Sequence, residues 1–507
     1  MATAARSSAL LLVALGAAAP PASAGDWRIV PSISVSATAT NNIDQTKKNR
    51  KSERIVDVTP GINIVGQGDR LKLSLNYQLH GLFHANESRR NNHQNSLDAA
   101  MSLEAIENLF FVDVKAAISQ QSLSAFASAP NSSVDTNNAE NTVETRTFRI
   151  SPYLRGAIGN AAEYLVRYDY SKMTTDESNS FDDQTRLFTA HVGSQKDFSR
   201  LGWAVDLIAQ RNDFGQGRDT KADTLRGSLT YRVDPQLRVS ATAGREAHNY
   251  ASIKKKSHAI VGAGVEWAPT DRTLVAASRE NRTFGNSDSF SFTHRTAGTS
   301  WKYSQSKDYV TSTDQSSGSV GTYFSLLDSM FSSAIPDPAA RAAYINAMLA
   351  ASGIAPGATL QGGFLTSGVT LQERKELSLA LVGVRNTVTF AATHTETEDI
   401  SKGTGSGWFL GTDFANLENI RQTGASVNWS HKLTGLSTLT GSASRLRSRG
   451  KGSGSNPVKM DETMYTLNFL TKLGPKTSAG LGARYVEADG TTEYTEAAVT
   501  GTFTHQF

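Results

Sequence analysis

Alternation of apolar and polar residues, repeated almost from end to end, is the feature that most limits what this chain can fold into. In Arg70-Leu71-Lys72-Leu73-Ser74-Leu75-Asn76-Tyr77-Gln78-Leu79-His80 every odd position from 71 to 79 is apolar and every even one is polar. Successive side chains of a β-strand point to opposite faces, so the segment reads as a strand with one greasy and one wet side. A soluble β-sandwich accepts such a segment too. What favours a membrane barrel is recurrence: units of roughly ten alternating residues, bounded by turn residues, follow one another to Phe507. Further apolar faces fall at Tyr164, Val166, Tyr168 and Tyr170, at Trp203, Val205 and Leu207, and at Val261, Ala263, Val265 and Trp267.

The connections between these units fall into two populations. Tight turns, rich in Gly, Pro, Asn and Asp, occur at 66–69, 159–160, 233–236, 268–271, 434–435 and 473–476. Long polar loops occupy 44–53, 86–95, 119–141, 174–184, 214–221, 247–257, 397–419 and 448–458. Outer-membrane barrels have short periplasmic turns and longer extracellular loops, so the rhythm puts both termini in the periplasm. The expected fold is all-β: an antiparallel transmembrane outer-membrane barrel of about 22 strands, with 20 to 24 compatible with the spacing. Tyr231, Trp267 and Trp203 lie beside tight turns, as an aromatic girdle at the periplasmic interface requires.

Composition matters at three points. A hydrophobic fraction of 38% and a mean hydropathy of −0.34 suit a barrel as well as a soluble protein, because half of each strand faces a wet lumen. Cysteine is absent, which excludes disulfides and thiolate metal sites. The 51 Lys+Arg against 47 Asp+Glu give a net +4, too balanced to point to nucleic acid.

Residues 1–24 carry Arg6, an apolar run and Ala22-Ser23-Ala24, the pattern of a secretory signal peptide, leaving 25–507 as the barrel. One stretch breaks the alternation. Over 313–370 two helical segments are expected, 323–331 and 337–352. The second has Asp337 as N-cap, Pro338 at the first helical position, Arg341, Tyr344, Ile345, Met348 and Leu349 at helical spacing, and Gly353 as a stop. Strand parity places this insert on the extracellular side. It reads as a plug, lid or constriction, or else as a cap over the mouth, with Asp337, Arg341 and Tyr344 as its candidate gating residues.

Several segments together resemble the outer-membrane β-barrel proteins associated with PEP-CTERM/exosortase systems. They are Ile150-Ser151-Pro152-Tyr153-Leu154, Tyr231 to Arg238, Trp267 to Thr273, Arg282-Thr283-Phe284-Gly285, His294-Arg295-Thr296, Asp337-Pro338 with Arg341, Val384-Arg385-Asn386-Thr387 and the terminal Phe507. The resemblance spans nearly all of the mature chain; a Thr-Pro turn expected at 434–435 is Thr434-Gly435 instead. It implies a setting among exopolysaccharide genes of Gram-negative bacteria and, by association, a role in polysaccharide export or secretion.

No catalytic motif is present: there is no G-x-S-x-G, H-E-x-x-H or Walker sequence, and 403–407 is only a near miss to a dinucleotide loop. The chain is not expected to be an enzyme, and no cofactor is expected. His394, Glu396 and Glu398 share a strand face, and Asp176, Glu177, Asp182 and Asp183 form an acidic loop, but neither spacing matches a known ligand loop and no metal site is assigned. Arg245, Glu246, Arg279, Arg282, Arg295 and Arg385 are candidates to line the lumen or its constriction. Phe507, an aromatic ending an alternating last strand, resembles the assembly signal of outer-membrane barrels. Basic clusters at Lys47, Lys48, Arg50 and Lys51, at Arg89 and Arg90, at Lys254 to Lys256, and at Arg445, Arg447, Arg449 and Lys451 fall on or near predicted extracellular loops, where they pair with lipopolysaccharide phosphates or serve as ordinary loop charge. The expected partners are outer-membrane lipid and lipopolysaccharide, the barrel assembly machinery, and polysaccharide with periplasmic export proteins. The favoured reading is a porin-like channel; the alternative is a non-conducting structural or surface-polymer-anchoring protein.

Overall fold

The computed structural model describes residues 25–127, 141–176, 182–194, 200–215, 217–311, 368–400, 413–452 and 458–507, with ten further positions between 313 and 366. The segment 1–24, expected to be a signal peptide, lies outside the described residues. The alternating units all become strands. They are β1 (Asp26–Thr40), β2 (Glu53–Gln67), β3 (Leu71–His84), β4 (Asn92–Ile106), β5 (Phe110–Ser122), β6 (Thr142–Ile158), β7 (Ala162–Thr175), β8 (Asp183–Ser194), β9 (Leu201–Phe214), β10 (Thr220–Arg232) and β11 (Leu237–His248). The second half holds β12 (Lys256–Thr270), β13 (Thr273–Arg282), β14 (Gly285–Arg295), β15 (Thr299–Thr311), β16 (Val369–Val382), β17 (Asn386–Asp399), β18 (Leu417–Lys432), β19 (Ser437–Gly452), β20 (Val458–Gly474), β21 (Thr477–Gly490) and β22 (Tyr494–Gln506).

Each strand pairs antiparallel with its neighbours in sequence, and β1 pairs with β22, so the 22-stranded sheet closes on itself. Closure is what lets strands cross lipid, because it leaves no edge with unpaired backbone groups. At the seam Val35 opposes Phe503 and Ala39 opposes Val499 on one face. On the other face the hydroxyls of Ser34 and Thr504 meet at 3.0 Å, those of Thr38 and Thr500 at 2.8 Å, and Thr40 donates to Glu496 at 2.7 Å. Phe507 extends this pairing, its N–H donating to the Pro31 carbonyl at 2.9 Å.

The two faces differ as the alternation demands. Ile29, Val35, Leu207, Leu225, Leu229, Val261, Tyr465, Leu481 and Val499 are all exposed on the outside of the closed sheet. Trp27, Trp203, Tyr231, Trp267 and Trp301 are exposed toward its turn-bearing end. An apolar exterior with interfacial aromatics is the surface a bilayer covers, and the chain is an outer-membrane β-barrel.

The tight turns close the periplasmic end, among them the Gly159 turn, where φ of +55° falls in the left-handed region that glycine enters freely. The expected division into short periplasmic and long extracellular connections needs one correction. The extracellular link between β13 and β14 is only Thr283-Phe284, and 491–493 is short as well. Gly285, at φ +99°, makes the first of these possible.

The helical insert expected over 313–370 is not supported. No α-helical element is defined among the described residues, and most of the segment, Asp337 included, lies outside them. Its described apolar residues Leu327, Phe331 and Ile345 are buried, so the spacing that suggested a helical stripe coincides with positions that pack inward.

Candidate functional site

Register assigns each side chain to lumen or lipid. On the inner face a hydroxyl-rich arc carries Ser287, Ser291 and Thr293 of β14, Thr389, Thr393 and Thr397 of β17, Thr440, Ser442 and Ser444 of β19, and the seam hydroxyls of β22 and β1. The facing arc carries charge held in pairs. Arg167 Nη1 lies 3.2 Å from Asp113 and its Nε 3.0 Å from Asp169. Arg226 meets Glu280 at 2.9 Å although two strands, β11 and β12, separate β10 from β13. Gly244 and Gly262 lie on that path, and a Cβ on either would clash with Arg226 or Glu280, so glycine lets the two side chains lie flat along the wall.

The extracellular half of the lumen is occupied by the chain's own segments. Thr313, just past β15, sits with its hydroxyl 2.7 Å from Thr185 of β8, and both are buried. These strands are seven apart in the wall, roughly 33 Å around it at ~4.8 Å per strand. The upper end of β15 therefore leans over the lumen. Tyr309 packs edge-on against His248 at 5.0 Å and Tyr250 at 4.9 Å, and Val369 of β16 joins Phe214 and Tyr250 in one buried cluster.

At the other end of the insert Leu365 donates its N–H to the Ser122 carbonyl at 2.8 Å and packs with Val143 of β6 and Met173 of β7. Phe364 belongs to a larger apolar cluster that takes in Ala125 and Phe126 beyond β5, Phe414, and the inward residues Ile420 of β18, Met460 of β20, Val486 of β21 and Tyr494 of β22. A carboxylate ties two of these segments together: Asp413 accepts from Ser124 Oγ at 2.6 Å and from the Ala125 N–H at 2.7 Å. Burial pushes the Asp413 carboxyl up, against those hydrogen bonds. Within the insert Arg341 pairs with Asp328 at 2.7 Å and Tyr344 meets Phe331 edge-on at 5.1 Å.

Of the sequence-derived lumen candidates, Glu246 and Arg282 come together. Arg282 Nε lies 2.7 Å from Glu246, with 9% and 1% of the two side chains exposed. Glu246 also accepts the N–H and hydroxyl of Thr283 at 2.6 and 2.7 Å, which anchors the β13–β14 hairpin to the inner wall. Three candidates are corrected. Arg279 shares an outward row with Ala263, Ala241, Leu229 and Trp203, and Arg245 shares one with Leu225 and Leu207, so both face lipid near the extracellular edge. The small residues of Ser240-Ala241-Thr242-Ala243-Gly244 give no contrast between faces, which is why sequence alone misassigned Arg245. Arg385 lies in the exposed periplasmic turn between β16 and β17. Arg295 does face inward, but at the periplasmic rim, where its Nη2 donates to the Asp271 carbonyl at 3.3 Å.

The loop and strand charges also find partners. Lys51 lies 3.0 Å from Glu87 and 3.1 Å from Asp44, and Arg90 pairs with both acids. Glu396 accepts from Asn419 at 2.7 Å and from Arg421 at 3.1 Å on the outer face. Sequence reading missed Asp413, Thr185 and Thr313 because their contacts join residues more than a hundred positions apart.

No protein-family model and no curated protein matches this chain. Solved structures with similar chain paths include the siderophore receptor PirA from Acinetobacter baumannii, 10% identical with a TM-score of 0.45 over 95% of this chain and 80% of that one. The FrpB iron transporter from Neisseria meningitidis in its apoprotein form is 8% identical with a TM-score of 0.48 over 94% and 81%. The loop L8 deletion mutant of OmpT, an outer membrane protein of Vibrio cholerae, is 8% identical with a TM-score of 0.34 over 96% and 100%. Likenesses at this level say nothing of what this chain binds.

Proposed function

We propose that this barrel is a gated outer-membrane conduit that serves exopolysaccharide export or secretion, and that the loops and insert folded into its extracellular half are the gate. The observation that carries the reading is the combination of a polar inner wall with a lumen filled by segments that are not part of that wall. A wall of 22 strands encloses more space than strand side chains can fill, so inward-folded segments decide what passes. The wall below them offers hydroxyls, which exchange hydrogen bonds with sugar hydroxyls, and arginines already neutralised by carboxylates, which give a charged polymer little to bind. The resemblance to PEP-CTERM/exosortase-associated barrels supports polysaccharide as the cargo class, and catalysis has no part in the proposal.

A second reading, a closed barrel that anchors surface polymer or secretion machinery, draws on the size of the apolar cluster around Phe364. Single-channel recording in planar bilayers separates the two. A variant with 318–363 replaced by a short Gly/Ser loop is expected to conduct strongly where the intact chain is small or silent. Silence of both, with folding verified by heat-modifiable mobility, refutes the conduit and leaves the anchor.

A further inference from the structure

The outer surface carries an open groove of about 370 Å³ near the extracellular edge of β4 to β7. Leu97, Ile118, Phe148 and Tyr170 supply its apolar lining, and Arg146 and Lys172 its charge. Register fixes all six on the lipid side. Leu97 opposes Ile118 and Ile118 opposes Arg146 in one row; Phe148 opposes Lys172 in the next, and Phe148 is exposed outward. The apolar residues face the bilayer, and the cations lie beside them, Arg146 four residues from the Thr142 end of β6 and Lys172 three from the Thr175 end of β7.

The electrostatics leave room for an anion. Glu144, buried, holds Arg146 through Nε at 3.1 Å and Nη2 at 2.8 Å, and its second oxygen accepts the Asn95 N–H at 2.9 Å, so it is committed to the wall. Asp176, from the connection beyond β7, lies 2.8 Å from Arg146 Nη2 but is half exposed. Lys172 is exposed, and no ion pair joins it to any described residue. A lipid phosphate with about −1.5 to −2 charge can displace Asp176 and engage Lys172 and Arg146 together.

We propose that this groove binds lipid A, one phosphate on Lys172 and Arg146 and one acyl chain along Leu97, Ile118 and Phe148. The proposal rests on the outer-membrane fold and is independent of any transport role. Lipid A fits better than a phospholipid because the basic pair sits at the extracellular edge, the leaflet that lipopolysaccharide fills. Bound lipid would brace β4 to β7, which include β6 and β7, the strands whose inner face meets Leu365 of the insert.

The test uses the full chain refolded in detergent, with bound lipid counted by native mass spectrometry. The probes are diphosphoryl lipid A, its dephosphorylated form and dioleoyl phosphatidylglycerol. Wild type is expected to bind diphosphoryl lipid A at least about tenfold more tightly than the other two, from roughly 1 kcal/mol per basic residue and a tenfold change per 1.4 kcal/mol. Lys172→Glu is expected to abolish the preference and Lys172→Arg to keep it, with Arg279→Ala, on the outer face elsewhere, as control. Unchanged binding by folded Lys172→Glu overturns the proposal. So does equal binding of phosphatidylglycerol, or an equal loss in the Arg279→Ala control. Should Lys172→Glu fail to fold, Lys172→Ala with the same three probes decides the matter.

Discussion

Glu246 offers the sharpest test of how the inner wall is organised. Its carboxylate takes three hydrogen bonds, one from Arg282 and two from Thr283, in a site with 1% of the side chain exposed. Truncation by Glu246→Ala strands a buried guanidinium, a change that costs ~3–5 kcal/mol in other proteins. Here Asp308 at 3.7 Å and Glu280 at 4.0 Å remain near Arg282, so the loss is expected at the low end, about 3 kcal/mol. Glu246→Gln keeps an acceptor for Thr283 but turns an amide toward the guanidinium, and about 2 kcal/mol is expected. Removing both charges in Glu246→Gln with Arg282→Met is expected to lie within ~1 kcal/mol of wild type, because a buried pair is often replaced at little cost. The assay is reversible urea unfolding on lipid vesicles, followed by tryptophan fluorescence. Arg282→Met alone leaves Glu246 its two bonds from Thr283 and is expected to cost about 2 kcal/mol, so a coupling energy of about 3 kcal/mol follows. Strict additivity of the two single substitutions would refute the reasoning, since it would mean that the pair contributes nothing as a pair.

Two pH responses follow from the loops. Burial raises the Asp413 carboxyl in the docked state, so docking binds a proton that the released loop does not. Docking is then strongest below the ordinary carboxylate range and weakens as pH rises through the raised value; conductance is expected to be lower at about pH 4 than at about pH 7, and Asp413→Asn to flatten the response. A wild-type conductance independent of pH would rule this out. Glu87 behaves oppositely: Lys51 and Arg90 hold its pKa down to about 2. Its contact with the first extracellular loop is present above the free glutamate value and fails only as pH falls through about 2, so a Glu87 carboxyl titration by NMR with a midpoint near 4.5 would contradict it.

Strand number and closure were both legible because each rests on local rules: two-residue alternation, turn chemistry, and the need for paired edges in lipid. Ser32-Ile33-Ser34-Val35-Ser36 reads as a wall strand with no further information. The lumen was only half legible. Glu246 and Arg282 are 36 residues apart yet face one another, because two consecutive hairpins bring β11 and β13 close, and parity alone suggests that proximity. Arg245 and Arg279 defeated the same logic because an arginine on the outer face is unfavourable only in hydrocarbon; above it, among headgroups, the outer face takes charge as readily as the lumen does. The contacts that fill the lumen, such as Thr185 with Thr313 and Ser124 with Asp413, obey no short-range period and leave no local trace.

The size of the wall explains why the filling had to come from elsewhere. Small barrels plug themselves with strand side chains, whereas 22 strands leave a gap that those side chains cannot bridge. The wall residues facing this gap are mostly hydroxyls and compensated ion pairs, so they do not attract apolar segments; the apolar inward residues that meet the folded-in segments lie at the extracellular ends, at Ile420, Met460, Val486 and Tyr494 on one side and Val143 and Met173 on the other, whereas Phe111 and Tyr153, at the opposite end, stack on each other. Among the described residues, the folded-in segments therefore dock at the extracellular level. A gate built this way is held by a few apolar contacts, the Asp413 tether and the Thr185–Thr313 bond, while the wall is held by a closed ladder of backbone hydrogen bonds. Thr185→Val and Thr313→Val should thus loosen the occlusion without weakening the barrel. On the conduit reading, unfolding and conductance are separable for that reason.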